Sequence, residues 1–315
     1  MDRSLMHYFS MAARTAKGVV VKLTKRCSVL MILGLLSLPA LWARDIAPIV
    51  STGWLEQNLK DSRISIVDIR TAAQYQKGHI PRSVNTPLSL WAPASNALSL
   101  ELPRDEALRD IVGKAGISPA SLVVIVTRTE TDFGRADATR VAWTCRVAGL
   151  ENVAVLDGGF SKWARENRAI STDSAAVRAL TYTGAIDRSS VASKAYVLNK
   201  IKKIIIADNR TPEDYFGISS KSGHIMGAVN LPTPWAFATD GTFRNKEELS
   251  SMAAGVLGSD NSKQIVVYCG VGGYASTWWF LLTQVLGYKN VKLYDGSFEE
   301  WSKDPKAPVQ HYRWH

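Results

Sequence analysis

Cysteine is scarce, with 3 in 315 residues (Cys27, Cys145 and Cys269), which is too few for a disulfide framework or a four-cysteine zinc site. No run of Lys and Arg interleaved with aromatics occurs, which argues against nucleic-acid binding. The net charge of +10 is concentrated at the start, where the first 43 residues hold six Lys/Arg and one Asp. The remainder has 32 basic against 27 acidic side chains, a net of +5, as expected of a solvated surface or of weak steering of a small anion. The apolar run from Cys27 to Trp42 has 16 residues, short of the roughly 20 that a helix needs to span a bilayer.

That run follows Lys22, Lys25 and Arg26 and ends at Ala43, before Arg44 and Asp45. Basic, then apolar, then small is the order of a secretory signal. Residues 1–43 are therefore read as a signal peptide cut near Ala40 or Ala43, predicting export to the periplasm; an uncleaved membrane anchor is the alternative. No stable span is expected after cleavage. Cys145 and Cys269 would remain, and an oxidising compartment allows them to pair.

A hydrophobic fraction of 46% and 10 Trp supply enough apolar mass for two cores without metals or disulfides. An internal repeat supports that division. Ile64–Val67, Asp68-Ile69-Arg70, Tyr75 and Gly78-His79-Ile80 are answered by Ile204–Ala207, Asp208-Asn209-Arg210, Tyr215 and Gly223-His224-Ile225. Val123–Thr127 corresponds to Ile265–Cys269, and Leu156-Asp157-Gly158-Gly159 to Tyr294-Asp295-Gly296-Ser297. The offset stays between 138 (Asp157/Asp295) and 145 (Gly78/Gly223), so loops absorb the differences. Short apolar runs alternate with amphipathic stretches such as Ala138–Ala148 and Ser276–Gly287, the rhythm of mostly parallel sheets buried between helices. The reading is two α/β domains, 46–168 and 183–308, joined by a polar linker over 169–182.

Cys269 ends a strand pattern and is followed by Gly270, Val271, Gly272, Gly273 and Tyr274, with a helical pattern from about Ala275. Three glycines in five residues let successive N–H groups turn inward, and the positive end of the helix adds to them. Such a cradle is expected to hold a persulfide and to lower the thiol pKa. The plainer reading is a small buried hydrophobe. Cys145, beside Trp143 in a helical pattern with no glycine loop, reads as core.

Taken in order and twice over, these segments resemble the tandem-domain rhodanese family. The Asp-x-Arg after a strand, the Gly-His-Ile turn, the strand ending in Cys with its Gly-rich loop and the late Asp-Gly carry the resemblance. It implies two rhodanese-like domains, each a mostly parallel sheet flanked by helices. It also implies a catalytic second domain, a degenerate first one and sulfur transfer through Cys269, with no cofactor and no metal. Gly270 to Ala275 would bind the persulfide. Asp208, Arg210 and His79 are possible supporting residues, although the Asp/Arg pair and the Gly-His-Ile turn recur in both halves and so also read as structural. Asp295 recurs likewise and reads as structural. Thr127 replaces the cysteine in the first half, without glycines after it, and cannot carry sulfur.

A cysteine phosphatase would need an arginine where Ala275 stands. A sulfur or chalcogen carrier delivering to a partner protein is the alternative to a turnover enzyme with a small donor and a thiophilic acceptor. The donor is addressed by departures from the family. The loop has no charge, Val271 replaces an expected serine, and Asp214 replaces an expected arginine, so poor use of thiosulfate and 3-mercaptopyruvate is predicted. Lys221, Arg82 and Arg128 are candidate compensating charges.

Overall fold

The computed structural model describes residues 44–218 and 223–312. The expected signal segment 1–43 and Lys221 lie outside them. In the first half, β1 (Ile49–Val50), β2 (Ile64–Asp68), β3 (Val84–Asn85), β4 (Leu122–Val126) and β5 (Val153–Leu156) form one parallel sheet in the order β1-β5-β4-β2-β3. The second half repeats it with β6 (Val191–Ala192), β7 (Ile205–Asp208), then β9 (Val229–Asn230), β10 (Gln264–Tyr268) and β11 (Asn290–Tyr294), ordered β6-β11-β10-β7-β9. An antiparallel ribbon pairs β8 (His224–Ile225) with β12 (Val309–Gln310), just past the expected domain end at 308.

Alternation along the central strands divides the cores, as buried parallel strands require. Ile265, Val267 and Cys269 face a core shared with Val123, Ile125, Trp143, Trp278 and Trp279, so both domains contribute to one apolar interior. Val266 and Tyr268 face the other side, against Trp301, while Val124 and Val126 do the same beside Trp163. The helices Asp132–Val147 and Gly273–Phe280 pack together at this shared core, and Thr139 Oγ1 lies 2.9 Å from Thr277 Oγ1 and 3.2 Å from Ser276 Oγ. Both helices begin earlier than their apolar pattern suggested, because Thr131 caps one and left-handed Gly272 (φ 83°) opens the other. The second continues into a π turn, Leu281–Val285.

The connection between the domains is longer than the polar stretch that marks it. No helix or strand is formed between Arg165 and β6, because the chain is held instead along the first domain. Leu180 N–H donates to Gly113 O at 3.0 Å, Tyr182 Oη to Ala148 O at 2.8 Å, and Asp187 N–H to Val147 O at 2.8 Å.

Candidate functional site

Cys269 follows β10, the central strand of its sheet, between the parallel partners β7 and β11. It sits at the carboxyl end of the strands, where open α/β sheets place their ligands. The residue is only 1% exposed. Backbone N–H groups of Val271, Gly272 and Ala275 act on its sulfur and draw its pKa down. Gly270, Val271 and Tyr274 are half-buried, whereas Gly272, Gly273 and Ala275 are buried. From outside the loop, Ser297 Oγ accepts the Cys269 N–H at 3.2 Å, Phe298 N–H donates to Cys269 O at 2.9 Å, and Glu299 N–H to Gly270 O at 2.9 Å.

The cradle has the expected donors, but the expected acidity is not found. Burial pushes the Cys269 thiol up, and the three amides, which act the other way, do not overcome it. The negative charge of Asp208 adds to the rise. A charge-free glycine loop is legible in sequence, whereas complete removal of the sulfur from water depends on the packing of both domains around it.

Asp208 closes β7 and is fully buried, and Arg210 chelates it, Nε to Oδ1 at 3.0 Å and Nη2 to Oδ2 at 2.6 Å. Arg210 also donates to Gly223 O at 2.7 Å and carries Phe298 over its guanidinium at 4.2 Å. Asp68 and Arg70 reproduce this arrangement with Gly78 O and Phe160, so the pair is a fold element of each half. One member is new in the second half. Tyr268, where the first half has Val126, donates to Asp208 Oδ2 at 2.6 Å and accepts from Ile225 N–H at 3.0 Å. The signal for it was present in the repeat, one residue before the cysteine.

His79 is engaged with the backbone of its own domain and the linker. It stacks on Tyr75 at 3.7 Å, with Nδ1 2.9 Å from Tyr75 O and Nε2 2.9 Å from Asp173 O, and so ties the linker to the first domain. His224 stacks on Tyr215 at 3.9 Å with Nδ1 2.9 Å from Tyr215 O, and burial lowers its pKa. Asp295 accepts the Leu102 N–H at 2.8 Å and pairs with buried Arg140, both partners from the first domain. Its counterpart Asp157 accepts the Phe243 N–H at 2.9 Å, so each late Asp-Gly holds a loop of the other domain.

The first half has no cradle at the matching place. Thr127 Oγ1 donates to Gly134 O at 3.2 Å, and Thr129 Oγ1 to Gly158 O at 3.1 Å. The first domain instead contributes to the second's site. Phe133 packs against Tyr274 at 5.3 Å between ring centres, and a Cβ on Gly273 would lie 2.8 Å from its Cζ. Burial, followed by the charges of Asp132, Cys269 and Asp214, pushes Tyr274 up to about 12. Asp214 is half-buried, and burial of Arg210 is outweighed by Asp208, with Asp214 adding to the rise of its pKa. Arg82 and Arg128 are exposed. Cys145 is enclosed in the shared core with its thiol pushed far up by burial, and both described cysteines are free.

The family described as rhodanese-like domain matches residues 51–166 and 192–304. A protein named putative thiosulfate sulfurtransferase 1, from Mycobacterium bovis, is 29% identical over 275 residues, covering 83% of this chain and 97% of its own. The sulfur carrier protein TtuD of Thermus thermophilus is 30% identical over 281 residues, covering 83% and 95%. Among solved structures, the anaerobic ergothioneine biosynthesis enzyme of Chlorobium limicola superposes with a TM-score of 0.72 at 21% identity, over 84% of this chain and 70% of that one. YnjE superposes with a TM-score of 0.73 at 22% identity, over 85% and 69%.

Proposed function

The chain belongs to the rhodanese-like family in both its halves, and from that premise we propose that it is a sulfurtransferase carrying a sulfane sulfur on Cys269. The carrying observation is the contrast between the repeats. The Val271, Gly272 and Ala275 amides of the glycine loop act on the Cys269 sulfur, while at the matching position the Thr127 hydroxyl is turned onto a backbone carbonyl.

The reaction runs in two displacements. Cys269 loses its proton, and the thiolate attacks the outer sulfur of the donor. A sulfur–sulfur bond forms to Cys269, the donor's bond to that sulfur breaks, and the leaving group departs with the electron pair. The terminal sulfur now bears the negative charge that the cradle amides stabilise. A thiophilic acceptor then attacks the terminal sulfur, and Cys269 leaves as thiolate. Because burial raises the thiol pKa, generation of the first thiolate is the pH-sensitive step.

The uncharged cradle and the carboxylate of Asp214 favour a polysulfide, persulfide or protein-borne donor over thiosulfate or 3-mercaptopyruvate. The relative named as a sulfur carrier supports a partner protein on one side of the transfer. Exposure to each candidate donor, followed by intact-mass detection of one added sulfur on Cys269, tests the reading. Turnover with cyanide as acceptor separates an enzyme from a carrier. We also propose export, tested by N-terminal sequencing of the secreted protein, which is expected to begin near Leu41 or Arg44.

A further inference from the structure

We propose that Arg140, a first-domain residue, is a positioning residue for the Cys269 cradle: through Asp295 it holds the Gly272 peptide, whose N–H acts on the sulfur, and the Ser297 turn, whose hydroxyl holds the Cys269 N–H. The inference rests on Cys269 being the sulfur carrier and assigns the first domain a part in building its site. Arg140 lies on the Asp132–Val147 helix and is 1% exposed. Its Nη1 pairs with Asp295 Oδ1, its Nη2 donates to Leu100 O at 2.9 Å, and its guanidinium lies 4.8 Å from the Trp143 ring centre. A guanidinium buried in this way is tolerated because it is paired, and it fixes the partner that pairs it.

The cradle rests directly on that pair. Gly272 takes φ 83°, and a Cβ there would lie 2.9 Å from Arg140 Nη1 and 2.9 Å from Asp295 O. Asp295 also starts the turn that grips the nucleophile. Ser297, at φ 49°, accepts the Cys269 N–H and donates to Tyr294 O at 2.9 Å. A serine held in the left-handed region is strained, and such strain persists where the surroundings enforce it.

Comparison of the repeats isolates the device. At the offset of 138 that relates Asp157 to Asp295, Arg140 corresponds to Trp278 and Ser297 to Gly159. The matching position therefore offers Asp157 no arginine, and the matching turn has a glycine, which takes φ 55° without strain. Both the ion pair and the hydroxyl occur only beneath the domain that has the cysteine.

The test uses the full chain with Arg140→Met, Arg140→Lys and Asp295→Asn, folding being checked by far-UV circular dichroism. The readouts are alkylation of Cys269 as a function of pH, mapped by mass spectrometry, and sulfur turnover. In Arg140→Met the loosened amides are expected to displace the alkylation profile upward, slowing reaction near neutral pH about tenfold, the effect of one pKa unit on the thiolate fraction. Arg140→Lys is expected to restore part of the rate. Asp295→Asn, which keeps an acceptor for Leu102, is expected to show the same upward displacement and decides the matter if Arg140→Met does not fold. A folded variant with the unmodified protein's profile and turnover would overturn the proposal. If the unmodified protein accepts no sulfur from any donor, the functional reading fails, while the alkylation profile still reports whether Arg140 orders the cradle.

Discussion

The Tyr268 hydroxyl donates to Asp208 Oδ2 at 2.6 Å, which joins the residue before Cys269 to the buried ion pair at the end of the neighbouring strand. Tyr268→Phe removes this donor and the acceptor of the Ile225 N–H in a fully buried place. It is expected to cost about 2 kcal/mol, the penalty for stranding buried polar groups. Denaturant midpoints measure it. A loss below a few tenths of a kcal/mol would show that Asp208 and Arg210 satisfy each other without the hydroxyl.

Glu101 is pushed up to about 7 by burial first and then by the charges of Asp295 and its acidic neighbours, against the pull of Arg140. A carboxyl whose folded pKa lies above its unfolded value contributes stability at low pH and loses it as pH rises through the folded value. The window here runs from the ordinary carboxyl value of 4.5 to about 7. Glu101→Gln is expected to stabilise the protein by about 1 kcal/mol above neutral pH, allowing for solvent screening of a half-exposed group, and to be neutral or destabilising near pH 4. Melting temperatures across that range check the sign.

The raised Cys269 pKa predicts that alkylation in the unmodified protein keeps climbing with pH through the ordinary thiol range, whereas Cys145, enclosed in the core, stays unreactive. A Cys269 reaction rate already level below about pH 8 would mean that the amides outweigh burial.

On the proposed function, Asp214→Arg is expected to improve thiosulfate turnover, since it replaces a carboxylate by a cation. A unit charge at about 4 Å is worth roughly 1 to 4 kcal/mol between bulk-water and surface dielectrics, so an increase of about tenfold is expected. An unchanged or lower rate would place the donor's path elsewhere.

Much of this architecture is legible in the sequence because the repeat aligns Asp68 with Asp208 and Thr127 with Cys269 while strand alternation marks the cores. The glycine loop after Cys269 likewise announces its amides. What is not legible depends on the two halves meeting. Arg140 lies within the amphipathic stretch Ala138–Ala148, and nothing in that pattern marks it out until its helix is packed against the Gly273–Phe280 helix. The thiol's raised pKa is another such property, because glycines and a helix end are local whereas the burial that opposes them is tertiary. His79, which the repeated turn left open between a supporting and a structural role, has both ring nitrogens against backbone carbonyls in the fold.

The central claim is tested most directly by mass spectrometry of the intact protein after incubation with a polysulfide donor, comparing the unmodified chain with Cys269→Ser and Cys145→Ser. The account predicts one added sulfur, about 32 mass units, on the unmodified chain and on Cys145→Ser, removed by cyanide, and none on a folded Cys269→Ser protein. A cyanide-removable sulfur on Cys269→Ser, or its absence from the unmodified chain with every donor, would contradict it.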